Sequence, residues 1–159
     1  MVAFLSALAL LVAGTNAVAA DKDVEKIPSC QYCGMDREKF SSTRMIVEYA
    51  NGTIIGTCSI HCAAVDLAQS FGKEIKSLKV ADFRSGKLID AEKAHWVIGA
   101  GLPGVMAAKS RVAFVDKAEA EAFRTDKGGE IGNFDSAITS TYCDMWPDTQ
   151  AIRSRRTKH

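Results

Sequence analysis

Two thiols and a thioether stand within residues 30–35, CQYCGM, and two further thiols stand four apart at Cys58 and Cys62. Cys30 and Cys33 have the two-residue spacing at which a tight turn can aim both sulfurs at one ion. Cys58 ends an expected strand and Cys62 falls in the first turn of an expected helix. There, unpaired N–H groups and the positive end of the helix dipole favour thiolate, the form that ligates metals. Four thiols from a turn and a hairpin–helix junction suit a structural zinc site. Met35 points to another metal, because a thioether is soft and neutral, of little use to Zn(II) and well suited to Cu(I); Cys33 and Met35 form a compact soft pair on one loop. The same sulfurs admit blander readings. Met35 can be a core filler, and a disulfide can join Cys30 or Cys33 to Cys58 or Cys62. A thiol oxidoreductase would use Cys30 and Cys33, but such motifs open a helix after a strand, and no helical pattern begins at Gly34.

The elements that must position these sulfurs are legible in the flanking pattern. Apolar residues over 43–50 and 53–58 flank Asn51 and Gly52, a hairpin signal that predicts a type I′ turn. Ser59 is the expected N-cap of an amphipathic helix over 60–71, with Ile60, Ala64, Leu67 and Ala68 as its apolar stripe. A strand is expected over 75–83, making a ββαβ unit. The second half echoes it without the cysteines: strands over 95–99 and 111–115, a helix over 117–125 with Asp116 and Glu119 as a capping box, and a turn into a short strand over 127–132. Asp135 is the expected cap of a final helix running toward Met145. The fold class is therefore α+β, two small ββαβ-type units of antiparallel hairpins with packed helices. The expected organisation is a polar linker over 21–28, one domain over 29–150 with halves near 29–84 and 85–150, and a solvated, disordered basic tail over 151–159.

Composition narrows the function. The chain has 159 residues, 47% hydrophobic and 25% charged, enough for a packed core. With 20 basic against 19 acidic side chains, it has no field to gather nucleic acid or anionic lipid. Residues 1–20 are uncharged, hold an apolar run over 3–13 and end in small residues before a charged stretch, the outline of a secretory signal peptide. Leu11 to Thr15 reads like a lipoprotein cleavage box with Thr15 where the lipidated Cys would stand, so the expectation is a soluble exported protein, periplasmic or otherwise outside the cytoplasm, without a lipid anchor. His61 lies inside the cysteine pair but one position off its shared face, and reads as solvent-facing. His95 reads as packed in a strand, and Cys143 with Met145 as a buried thiol beside a packed methionine. Trp96, Trp146 and the phenylalanines read as core and rim. No acid/base pair, nucleophile triad or phosphate loop emerges, so no enzyme is expected.

The four thiols in a turn and at a hairpin–helix junction resemble a treble-clef zinc corner, and the spacing of Cys33, Cys58 and Cys62 resembles the TRASH-type metal-trafficking pattern. More broadly, CQYCGM, the hairpin ending in Thr57 to Cys62, then Val80 to Asp82, Leu88 to Ala91, Gly104 to Met106, Val112 to Phe114, Gly128 to Ile131 and Phe134 with Asp135 resemble the NosL family, copper accessory proteins for nitrous oxide reductase. The resemblance runs from about Cys30 to Ile138. It implies delivery of Cu(I) to an apo cuproenzyme, nitrous oxide reductase or its membrane assembly complex. It also implies Cys33, Met35 and Met106 as the copper ligands, a set suited to Cu(I) and poor for zinc. Cys30, Cys58 and Cys62 depart from that three-ligand set and widen the site toward thiolate-rich coordination. A hybrid reading places structural Zn(II) on Cys30, Cys58 and Cys62 and mobile copper on Cys33, Met35 and Met106.

Overall fold

The computed structural model describes residues 22–156; residues 1–21, on which the expected signal peptide falls, and the last three residues lie outside them. The chain opens with α1 (Lys22–Lys26), then forms β1 (Met45–Tyr49), β2 (Ile54–Thr57), α2 (Ile60–Gln69), β3 (Ile75–Ala81) and β4 (Leu88–Asp90). The second series is β5 (His95–Ile98), β6 (Arg111–Phe114), α3 (Lys117–Lys127), β7 (Glu130–Gly132) and α4 (Phe134–Arg156). Two antiparallel sheets result, ordered β2-β1-β3-β4 and β6-β5-β7. In each ββαβ series the first strand is central, its hairpin partner lies on one side, and the strand after the helix returns on the other. The fold class read from the sequence holds.

The sheets meet where the end of β3 touches β6. Phe83 donates its amide to the Ala113 carbonyl at 2.8 Å, and Asp82 accepts from the Val115 amide at 3.0 Å. One core crosses this seam: Met45, Val47, Tyr49 and Val80 from the first sheet pack with Trp96, Ala113, Phe134 and Ala137 from the second series. Trp96 is buried as expected and donates its indole N–H to the Ala91 carbonyl at 2.9 Å, whereas Trp146 and Phe71 are exposed. A second cluster gathers Phe83, Phe114 and Phe123 with ring centroids 5.1–5.7 Å apart.

Several local expectations are corrected. The hairpin loop has three residues, not two: Tyr49 donates to Thr53 across it, Gly52 alone takes positive φ (+85°), and Asn51 accepts from the Thr53 amide. That is a turn closed by a glycine in the left-handed region. Asn133, not Asp135, caps α4, accepting from the Ser136 amide at 2.9 Å. The helix then passes Pro147 and runs to Arg156, so the disordered tail expected from 151 is helical to that point. Contacts on both sides of the proline hold it, since Asp144 pairs with Arg111 at 2.5 Å and Asp148 accepts from the Ala108 amide at 3.3 Å. The stretch expected as a polar linker contains α1, whose Asp23 pairs with buried Arg37 and Arg44.

Candidate metal centre

The CQYCGM segment folds into a closed knuckle. The Cys30 amide donates to the Met35 carbonyl at 2.8 Å and the Gly34 amide returns to the Cys30 carbonyl at 2.9 Å. Gly34 makes this possible, because its φ of +74° lies in the left-handed region that side chains resist. Cys58 follows β2 directly and Cys62 sits in the first turn of α2. Ser59 stands at the N-cap with extended backbone, yet its hydroxyl caps nothing. It donates instead to the Val105 carbonyl at 3.0 Å, tying the long loop between β5 and β6 to the cysteine-bearing junction.

Knuckle, strand end and helix bring four sulfurs together. The Sγ atoms of Cys30, Cys33, Cys58 and Cys62 all lie within 4.8 Å of one another; Cys33 to Cys58 is 3.5 Å and Cys58 to Cys62 is 3.8 Å. A tetrahedral ion with metal–sulfur bonds near 2.3 Å holds its sulfurs about 3.8 Å apart, so the donor set and spacing fit such an ion. Cys30, Cys58 and Cys62 are at most 3% exposed, while Cys33 is only half-buried and reaches solvent. Met35, Phe40 and Val105 pack against the thiols. All five cysteines are free.

Crowding sets the protonation of the group. Hydrogen bonds from Cys58 and Cys62 hold the Cys30 thiol far below its ordinary value. The same contacts with Cys30 push Cys58 up to about 12 and Cys62 higher still, with burial adding to both. One thiolate is thus stabilised by thiol donors, and its buried partners keep their protons until a cation takes their place.

Of the residues singled out from sequence, the structure brings together the four thiols and packs Met35 against them. Met106 follows Val105 in the β5–β6 loop, 39% exposed and in the left-handed region at φ +60°, rare for a residue with a side chain. Cys143 is exposed on α4, correcting the expected buried thiol. His61 is partly buried rather than solvent-facing, and burial lowers its pKa. Sequence reasoning missed Val105 and Ser59 as the cover, and Asp66 as an anchor. Asp66 is buried one turn after Cys62 and accepts hydrogen bonds from the Tyr32 and Tyr49 hydroxyls. Its spacing from Cys62 was a readable signal; the reach from loop to Val105 left none.

The NosL family pattern matches residues 21–143. The chain belongs to the NosL family. Its fold is similar to that of the copper chaperone NosL from Shewanella denitrificans in its crystal structure, with a TM-score of 0.55 at 22% identity over 67% of this chain and 87% of that one. The solution structure of the apo-NosL protein from Achromobacter cycloclastes also matches, with a TM-score of 0.41 at 22% identity over 57% of this chain and 82% of that one. No curated protein matches the chain. Membership of NosL agrees with the resemblance carried by the CQYCGM knuckle and the motifs that follow it.

Proposed function

We propose that this NosL-family protein binds Cu(I) through its clustered sulfurs and hands the ion to a copper enzyme under assembly outside the cytoplasm, nitrous oxide reductase being the acceptor the family points to. The observation that carries the reading is the sulfur cluster with one solvent-reaching member: three thiols sealed from water, and Cys33 at the rim. Soft donors select a soft monovalent ion, and a rim ligand gives an incoming thiol or imidazole a place to attack, so ligands exchange one at a time. Met35 beside the thiols and Met106 on the exposed loop supply thioethers along the way out. The work is carriage rather than catalysis, and the uncharged leader over residues 1–20 supports export. Among the described residues no helix is long and apolar enough to cross a membrane.

A second reading is favoured by the near-tetrahedral sulfur spacing: Zn(II) bound by Cys30, Cys33, Cys58 and Cys62 as a structural ion. Anaerobic competition titrations of the full chain with Cu(I) and Zn(II) separate the two. Copper that displaces zinc and then passes to a thiol-bearing acceptor supports carriage; zinc retained through copper loading supports the structural site. Cys33→Ala is expected to lower Cu(I) affinity about a hundredfold with the fold intact, and unchanged affinity would remove the rim assignment.

A further inference from the structure

The two residues between Cys30 and Cys33 each tie the knuckle to one of the elements that carry the other thiols. Gln31 pairs with Gly56, its amide donating to the Gly56 carbonyl at 3.1 Å and its side-chain oxygen accepting from the Gly56 amide at 2.7 Å, on the strand that leads into Cys58. Tyr32 donates its hydroxyl to Asp66 Oδ1 at 2.6 Å, on the helix that holds Cys62 one turn earlier. The other Asp66 oxygen accepts from Tyr49 of the central strand at 2.5 Å. Asp66 is 2% exposed, and its carboxylate is held by two phenols. A buried carboxylate carries a desolvation penalty that an apolar side chain would not. Tyr32 is 37% exposed, so its contact with Asp66 adds position more than burial.

We propose that Tyr32 and Asp66 are positioning residues that hold the knuckle thiols at four-coordinate spacing from Cys58 and Cys62, and so set the balance between Zn(II) and Cu(I) at this site. This rests on the metal-binding reading above. The discrimination follows from coordination number. A tetrahedral Zn(II) site draws on all four thiolates together, so it loses when the knuckle drifts from α2. Cu(I) is satisfied by fewer soft donors, and Cys58, Cys62 and the rim sulfur of Cys33 remain for it. The anchor therefore raises the affinity for the four-coordinate ion more than for the cargo ion.

The test uses the full chain as wild type, Tyr32→Phe and Asp66→Asn, titrated anaerobically with Zn(II) and Cu(I), with Co(II) as an optical probe of tetrahedral thiolate coordination and apo-protein melting as the structural control. Tyr32→Phe is expected to weaken Zn(II) binding at least about tenfold, to reduce the tetrahedral Co(II) absorption, and to leave Cu(I) affinity near wild type. Asp66→Asn shifts the Zn(II)-to-Cu(I) ratio the same way. Equal losses for both ions that track a lower apo melting temperature would reduce the pair to ordinary scaffolding and overturn the proposal. Unchanged affinities and unchanged Co(II) spectra would overturn it as well. A wild-type chain that binds neither ion would overturn the metal reading itself and this proposal with it, an outcome visible before any variant is made.

Discussion

Asp23 stands 13% exposed between two almost wholly buried guanidiniums, 2.6 Å from Arg37 Nη2 and 3.1 Å from Arg44 Nη2. Arg37 spends its other donors on backbone carbonyls, Ile27 at 2.6 Å and Thr57 at 3.1 Å, the latter adjacent to Cys58. Removing one partner from a buried ion group leaves uncompensated charge, so Asp23→Ala is expected to cost about 3–5 kcal/mol, read as a lower urea midpoint. A loss under 1 kcal/mol would mean that water replaces the carboxylate at little cost. None of this was legible in the sequence, because the partners lie 14 and 21 residues away and a charged stretch before a motif looks like a tether. The cysteines were legible for the opposite reason: their chemistry is rare and their spacing local.

The loop between β5 and β6 acts as one element, held by Ser59 on Val105 and by Asp148 on Ala108. Its tight fold depends on Gly104, where a Cβ would collide with the carbonyls of Ala107 and Lys109. Gly104→Ala therefore forces the loop open, at a cost of about 1–3 kcal/mol from overpacking. Lifting Val105 should also expose the thiols, so labelling of Cys58 by a thiol reagent is expected to quicken on the native protein. Unaltered labelling would show that the loop is not the cover. Elements with local signals were readable: Asp116 accepts from the Glu119 amide at 3.0 Å as its capping pattern implied. Ser59 had the right position and another job, because the carbonyl it serves belongs to a loop 46 residues away. Pro147 is a helix breaker by local rules, and contacts on both sides of it, Arg111 with Asp144 and Ala108 with Asp148, overrode it.

At the scale of the whole molecule, the site joins protonation to stability. Cys58, raised to about 12, and Cys62, raised further, hold their protons at neutral pH, whereas Cys30 has already lost its own. A metal that takes all three as thiolates must expel the two protons on Cys58 and Cys62, so its affinity rises with pH, by about a hundredfold per unit well below 12. Binding to the native state alone stabilises by RT ln(1 + [L]/Kd), so a hundredfold gain in affinity at fixed free metal adds about 2.7 kcal/mol. The melting-temperature gap between loaded and apo protein should therefore widen from about pH 6 to pH 8, and close on acidification as protons reclaim the sulfurs. Calorimetry at fixed free Zn(II) or Cu(I), in buffers of different ionisation enthalpy, reads both the gap and the protons released. A constant gap with no proton release would mean that Cys58 and Cys62 do not ligate the ion as thiolates.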